Sequence, residues 1–186
     1  LLDKADPKLV LERLYDAAEK SDPASRVVPL AKGELALSKS DFTLASRVYQ
    51  LALKKFPNDA EIHYGVAKSF ESSDRKVMQK HLEAALEANP NHIASHLLLI
   101  DNLIDREAYA EAKQMIAQVL KVNPEHPEAW AYRAVLAHLR NDTAREKTAR
   151  ERALKHWPRN PQVPHLIGKK LSQKYRFAEG SAYQKQ

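Results

Sequence analysis

The chain has 186 residues, of which 44% are hydrophobic, four are glycine and none is cysteine. That balance excludes disulfide staples, thiolate zinc sites and cysteine nucleophiles, and it leaves too little glycine for a phosphate-cradling loop. The formal charge of +6 points to an anionic partner only if the basic residues gather on one surface, and no apolar run approaches the roughly 18 residues that span a bilayer.

The chain opens Leu1-Leu2-Asp3-Lys4, without an initiator Met and without the apolar stretch of a secretory signal, so it reads as a piece of a longer protein. Asp6-Pro7 reads as a cap and first-turn proline. They open a helix that carries Leu11, Tyr15 and Ala18 and ends before Pro23. From there prolines punctuate the chain: Pro23, Pro57, Pro90, Pro124 and Pro158 lie 34, 33, 34 and 34 residues apart, each after an apolar helical run. Proline lacks the helical N–H and disfavours helix at the residue before it, so each one ends a helix and resets the chain. Within Ser46–Lys55 the apolar Val48, Tyr49, Leu51, Ala52 and Leu53 recur at helical intervals. Residues Ala94–Leu103 are apolar almost throughout, as a helix flanked on both sides requires. Asp41, Asp74 and Asp142 stand where a short carboxylate can cap the second helix of a pair. No alternating strand pattern competes, and the count comes to about eleven helices.

A period of about 34 is the length of a helix–turn–helix repeat, and the residues within it resemble the tetratricopeptide-repeat family. Residues 26–59 supply Gly33, Phe42, Ala45, Tyr49, Ala52, Leu53 and Pro57 at the family's small, aromatic, small, bulky, small, apolar and proline positions. Residues 60–92 supply Ala67, Leu82, Ala85, Leu86 and Pro90, with one residue missing at Ser73-Asp74. Residues 93–126 supply Tyr109, Ala112, Ile116, Leu120 and Pro124, and residues 127–160 supply Trp130, Ala134, Ala153, Leu154 and Pro158. A leading half repeat spans 7–25, and a truncated fifth, 161–186, carries Gly168, Leu171, Phe177 and Gly180. Lys32 and Arg133 at position 7, and Met78 and Glu146 at position 20, depart from the pattern. The resemblance implies an all-α fold, a right-handed α-α superhelix (a TPR solenoid) of antiparallel pairs in a single array over 1–186. It also suggests a fragment of a longer bacterial protein of this family.

The resemblance further implies a protein–protein interaction scaffold, not an enzyme, with no cofactor and no metal. Family positions on the first helix of each pair would line a concave groove. Carried over, they name Leu30, Glu34 and Leu37, then Glu61, Tyr64 and Lys68, then Leu97, Leu98, Asp101, Ile104 and Asp105, then Glu128, Tyr132, Val135 and His138. Val27 and Ser38 fall at further groove positions of the first repeat, and Lys169 at one in the fifth. The groove positions hold six acids against two lysines in a basic chain. The expected ligand is therefore a protein or peptide segment with apolar anchors and Lys or Arg, the anchors giving affinity and the acids selecting. The family's clamp for acidic chaperone tails needs Lys and Asn at positions 5 and 9, and no repeat here has them.

Other readings rest on less. His92 and His96 have the spacing of a two-histidine zinc pair, but Ile93 stands where a metallopeptidase helix needs Glu, and packing explains both. Asp101 and Asp105 share a helix face and read as solvated groove acids. Residues 165–184 are similar to repeat segments of bacterial proteins that end in a zinc-peptidase-like domain, which would make the chain the substrate-recruiting arm of a larger enzyme. The basic run from Arg145 to Lys155 suggests RNA or an anionic surface, yet it lacks the interleaved aromatics that stack bases; only Trp157 is near. Neither end shows a polar capping helix, so further repeats or association through the terminal repeats is expected. The sequence assigns no compartment.

Overall fold

A computed structural model describes residues 9–185, with only the backbone considered at residues 11 and 12. The expected Asp6-Pro7 cap and the Leu11 side chain lie outside the described residues. A π-helical turn, Val10–Tyr15, leads into α1 (Asp16–Ser21). There follow α2 (Val27–Ser38), α3 (Phe42–Leu53), α4 (Ala60–Ser69), α5 (Arg75–Ala88), α6 (Ile93–Asp105) and α7 (Tyr109–Val122). The last four are α8 (Pro127–Leu139), α9 (Thr143–Ala153), α10 (Gln162–Gln173) and α11 (Phe177–Gln184). Among the described residues there are eleven α-helices and no strands, and the fold is all-α.

The helix boundaries follow from local chemistry. Asp41 accepts the Leu44 amide at 2.9 Å, Asp74 those of Lys76 and Val77, and Asp142 that of Arg145 at 3.0 Å. Each therefore caps a second helix as its position predicts, a contribution of about 1 kcal/mol apiece. Asp59 caps α4 in the same way and also takes a bidentate Arg26 guanidinium, at 2.6 and 3.1 Å. Within the pairs α2–α3, α6–α7, α8–α9 and α10–α11, the turn carries one left-handed residue: Ser40, Glu107, Asn141 and Tyr175, with φ between 56° and 63°. They recur 67, 34 and 34 residues apart. The α4–α5 turn has no such residue, because the repeat is one residue shorter there and Asp74, with φ −142°, is already the cap.

The chain divides into two compact units, one up to Ser95 and one from His96. In the first, α3 packs on α2 and α4, α4 on α5, and α2 directly on α4. Its core is Ala36, Ala45, Tyr49, Ala52, Ile62 and Val66. The Tyr49 ring fills the space that side chains at Gly33 and Gly65 would take: a Cβ on either would lie 2.2 or 2.4 Å from its Cζ. In the second unit α8 packs on α7, α9 and α10, and α10 on α11. Alanines 112, 129, 131 and 134 are buried there, and small residues of this kind let helices approach closely. Gly168 and Gly180 bring α10 and α11 together until a Cβ on Gly168 would stand 2.7 Å from the Gly180 carbonyl oxygen.

The departures from the family pattern each have a partner. Lys32 bridges Asp16 and Glu19 on α1 at 2.7 and 2.8 Å. Arg133 lies over the Trp130 ring, 5.0 Å from its centroid, and Met78 is buried. Glu146 accepts a hydrogen bond from the Tyr183 hydroxyl and lies near His138 and Arg150. A carboxylate thus occupies a small-residue position because a phenol answers it. Burial and that bond push the Tyr183 hydroxyl up to about 12, against the opposing pull of Arg150.

Candidate partner-binding faces

On α2, Val27, Glu34 and Ser38 are exposed and Leu30 and Leu37 half-buried, one face of the helix at three- and four-residue steps. Leu30 and Leu37 rest on the first unit's core and show only part of their surface. On α4, Glu61 is exposed while Tyr64 and Lys68 are half-buried, Lys68 being paired with Glu71 at 2.5 Å. The Tyr49 hydroxyl beneath them is pushed far up, first by burial and then by the nearness of Glu34, Tyr64 and Glu61. The Tyr49 ring lies against Gly33 and Gly65, the chain neighbours of Glu34 and Tyr64, so these residues and Glu61 belong to the paired α2–α4 surface. His92 joins it: its ring lies 5.6 Å from that of Tyr64 and its Nε2 3.2 Å from Glu61. Its Nδ1 accepts the Ser95 amide at 3.3 Å and lies 2.7 Å from the Ser95 hydroxyl.

The second unit uses the corresponding positions differently. Leu98, Ile104, Tyr132 and Val135 are 6%, 0%, 5% and 0% exposed. Neighbouring helices cover most of their surface. Asp101 and Asp105 are half-buried and already paired. Lys170 of α10, itself 0% exposed, places its ammonium 2.6 Å from Asp101 and 2.8 Å from Asp105. The Tyr132 hydroxyl donates to Asp101 at 2.9 Å, and Lys174 donates to the Asp105 carbonyl at 2.7 Å. An acidic pair expected to recruit a partner's cation is occupied by the chain's own lysine. Leu97, Glu128 and His138 remain half-buried, with His138 beside Glu146 and Tyr183.

Sequence reasoning missed Lys170. A usable signal existed, since Lys170 and Lys174 repeat the four-residue spacing of Asp101 and Asp105. The histidines are absorbed by packing: besides the His92 contacts, His96 Nδ1 lies 2.7 Å from Met115 Sδ. Among the described residues no three His, Asp or Glu side chains gather as a metal site, and no helix is long and apolar enough to cross a membrane.

Sequence profiles described as tetratricopeptide repeat match residues 30–77 and 79–138, together more than half of the chain. The chain belongs to the tetratricopeptide-repeat family. No curated protein sequence matches it significantly. Among solved structures it is similar in fold to PilF of Pseudomonas aeruginosa, with TM-score 0.69 and 19% identity over 87% of this chain and 74% of that one. A tetratricopeptide-repeat protein of Parabacteroides merdae gives TM-score 0.67 and 18% identity over 91% and 68%. YrrB, described as a TPR protein with an unusual peptide-binding site, gives 0.62 and 14% over 92% and 89%. Tetratricopeptide-repeat proteins are in general non-enzymatic scaffolds that bind proteins or peptides, and that general role is the one this fold supports.

Proposed function

We propose that this tetratricopeptide-repeat protein holds a segment of another protein on the α2–α4 face, in a single array with the repeat boundaries given above. The segment carries apolar anchors, which rest against Leu30, Leu37 and Tyr64, and a Lys or Arg that meets Glu34 and Glu61. Lys68 bounds the face. The observation that carries this reading is the direct packing of α2 on α4, with the Tyr49 ring against Gly33 and Gly65, the chain neighbours of Glu34 and Tyr64, and with Glu34 and Glu61 exposed.

The second unit supplies an internal precedent for the chemistry. There Asp101, at repeat position 9, accepts the hydroxyl of Tyr132 from the following repeat and holds a lysine ammonium. Glu34 occupies position 9 of its repeat, and the next repeat provides a tyrosine one position earlier than Tyr132, namely Tyr64. Lys170 belongs to the repeat two further on from Asp101. The residue at its position two repeats on from Glu34 is Asn102, not a lysine. A charge-assisted bond from a partner's cation would be worth roughly 1.5–3 kcal/mol.

Fluorescence anisotropy with labelled peptides tests the reading. Apolar peptides bearing Lys or Arg should bind, and Glu34→Lys with Glu61→Lys should weaken them by about tenfold or more. Equal binding by wild type and the double variant, or no binding of the basic peptides at all, would refute it.

A further inference from the structure

A second surface lies within the second unit. Helices α7, α8 and α9 enclose a cleft of roughly 490 Å³. Its floor is apolar: Ile116, Leu136 and Ala149 line it and are nearly buried. Its walls are cationic, with Lys113, Arg133, Arg140 and Arg145 all exposed. The one acid among the lining residues, Asp142, is spent twice, capping α9 through the Arg145 amide and bonding the Arg145 guanidinium at 2.6 Å. Lys113 and Arg140 take part in no ion pair among the described residues.

One wall is rigid. The Trp130 indole N–H donates to the Pro124 carbonyl at 2.8 Å, and Arg133 and Arg152 lie over the ring at 5.0 and 5.8 Å. Cation–π contacts of this kind favour these guanidinium positions before anything binds, which lowers the ordering a ligand must impose. The same contacts leave the indole engaged by guanidiniums and poorly suited to stacking a nucleobase. An aliphatic floor also suits a peptide side chain better than a base.

We propose that this cleft binds an acidic segment of a partner protein, with one apolar side chain seated on Ala117 and Leu136 and flanking carboxylates meeting Lys113, Arg133 and Arg140. The site is independent of the α2–α4 face and differs from it in ligand charge, so the protein would grip two segments of opposite character.

Replacing the exposed Trp157 (57% exposed) with Phe leaves Trp130 as the sole tryptophan reporter in the full chain. A short peptide with a central Leu between glutamates should change its fluorescence saturably, and the Lys counterpart should not. Lys113→Glu with Arg140→Glu should weaken the Glu peptide by about tenfold. The milder Lys113→Gln with Arg140→Gln serves if charge reversal disturbs the circular dichroism spectrum. Equal binding of the two peptides, or undiminished binding by a folded double variant, overturns the proposal. Displacement of the peptide by a lower concentration of single-stranded RNA overturns it too, and assigns the cleft to nucleic acid.

Discussion

Lys170 and Asp101, 69 residues apart, form an ion pair of 2.6 Å in which the lysine side chain is 1% exposed. A buried pair of this kind adds little net stability, but removing one member leaves the other charge without compensation. Asp101→Asn with Asp105→Asn should therefore cost about 3–5 kcal/mol in urea unfolding. Lys170→Met, which keeps volume and abandons the charge, should cost less in a background where both acids are amides than in wild type. Additive costs in that double-mutant cycle would mean the pair is not coupled.

Tyr49 fills the room left by two glycines, and that makes Gly33 informative. In an open helix Gly→Ala gains about 0.5–1 kcal/mol. Here the new methyl meets a ring that is 2% exposed and bounded by Gly65 on its other side, so Gly33→Ala should lose about 1–3 kcal/mol. In a Tyr49→Leu background the same change should be neutral or stabilising. Thermal unfolding of the four proteins decides it.

The left-handed turn residues carry strain that glycine would relieve. Ser40, with φ 59°, is exposed, so Ser40→Gly should stabilise by about 0.5–1 kcal/mol and Ser40→Val should destabilise by more. Asn141, with φ 56°, tolerates this conformation better than serine, so Asn141→Gly should gain less. A loss on Ser40→Gly in chemical denaturation would contradict the turn geometry.

Acid should weaken the protein before its carboxylates titrate. Burial, then His63 and Lys80, hold the His81 ring below its ordinary 6.5, and burial holds His126 there against the pull of Glu128. For a base with a depressed folded pKa, the unfolded chain takes the proton first. Stability is then complete above about pH 6.5 and falls as pH drops towards the folded values. Asp59 behaves the other way. Burial would raise it, but the Arg26 guanidinium and the Ile62 and Glu61 amides outweigh that and keep it low, so its contribution is lost only below its ordinary 3.8. Urea midpoints at about pH 7.5 and 5.5 should differ in wild type and differ less in His81→Phe. Equal drops would remove His81 from the account.

The prolines made the repeat legible, because a stop every 34 residues leaves few alternatives. The three aspartate caps were legible for the same local reason. What the sequence could not convey was which polar residues meet at long range. Asp101 and Asp105 look like solvated acids until Lys170, two repeats on, is known to reach them. Glu146 looks misplaced until Tyr183 bonds to it. Tyr132 and Val135 share their pattern with ligand-facing positions, and only packing of α8 against α7, α9 and α10 turns them inward. Conversely, Glu34 and Glu61 were named from repeat positions, and their shared nearness to Tyr49 became visible only with the fold.

The most direct measurement is an amide chemical-shift map of the full chain titrated with an apolar peptide bearing Lys or Arg. Saturating shifts gathered on α2 and α4, around Glu34, Glu61 and Tyr64, are the predicted result. Shifts confined to the second unit, or none that saturate, would contradict it.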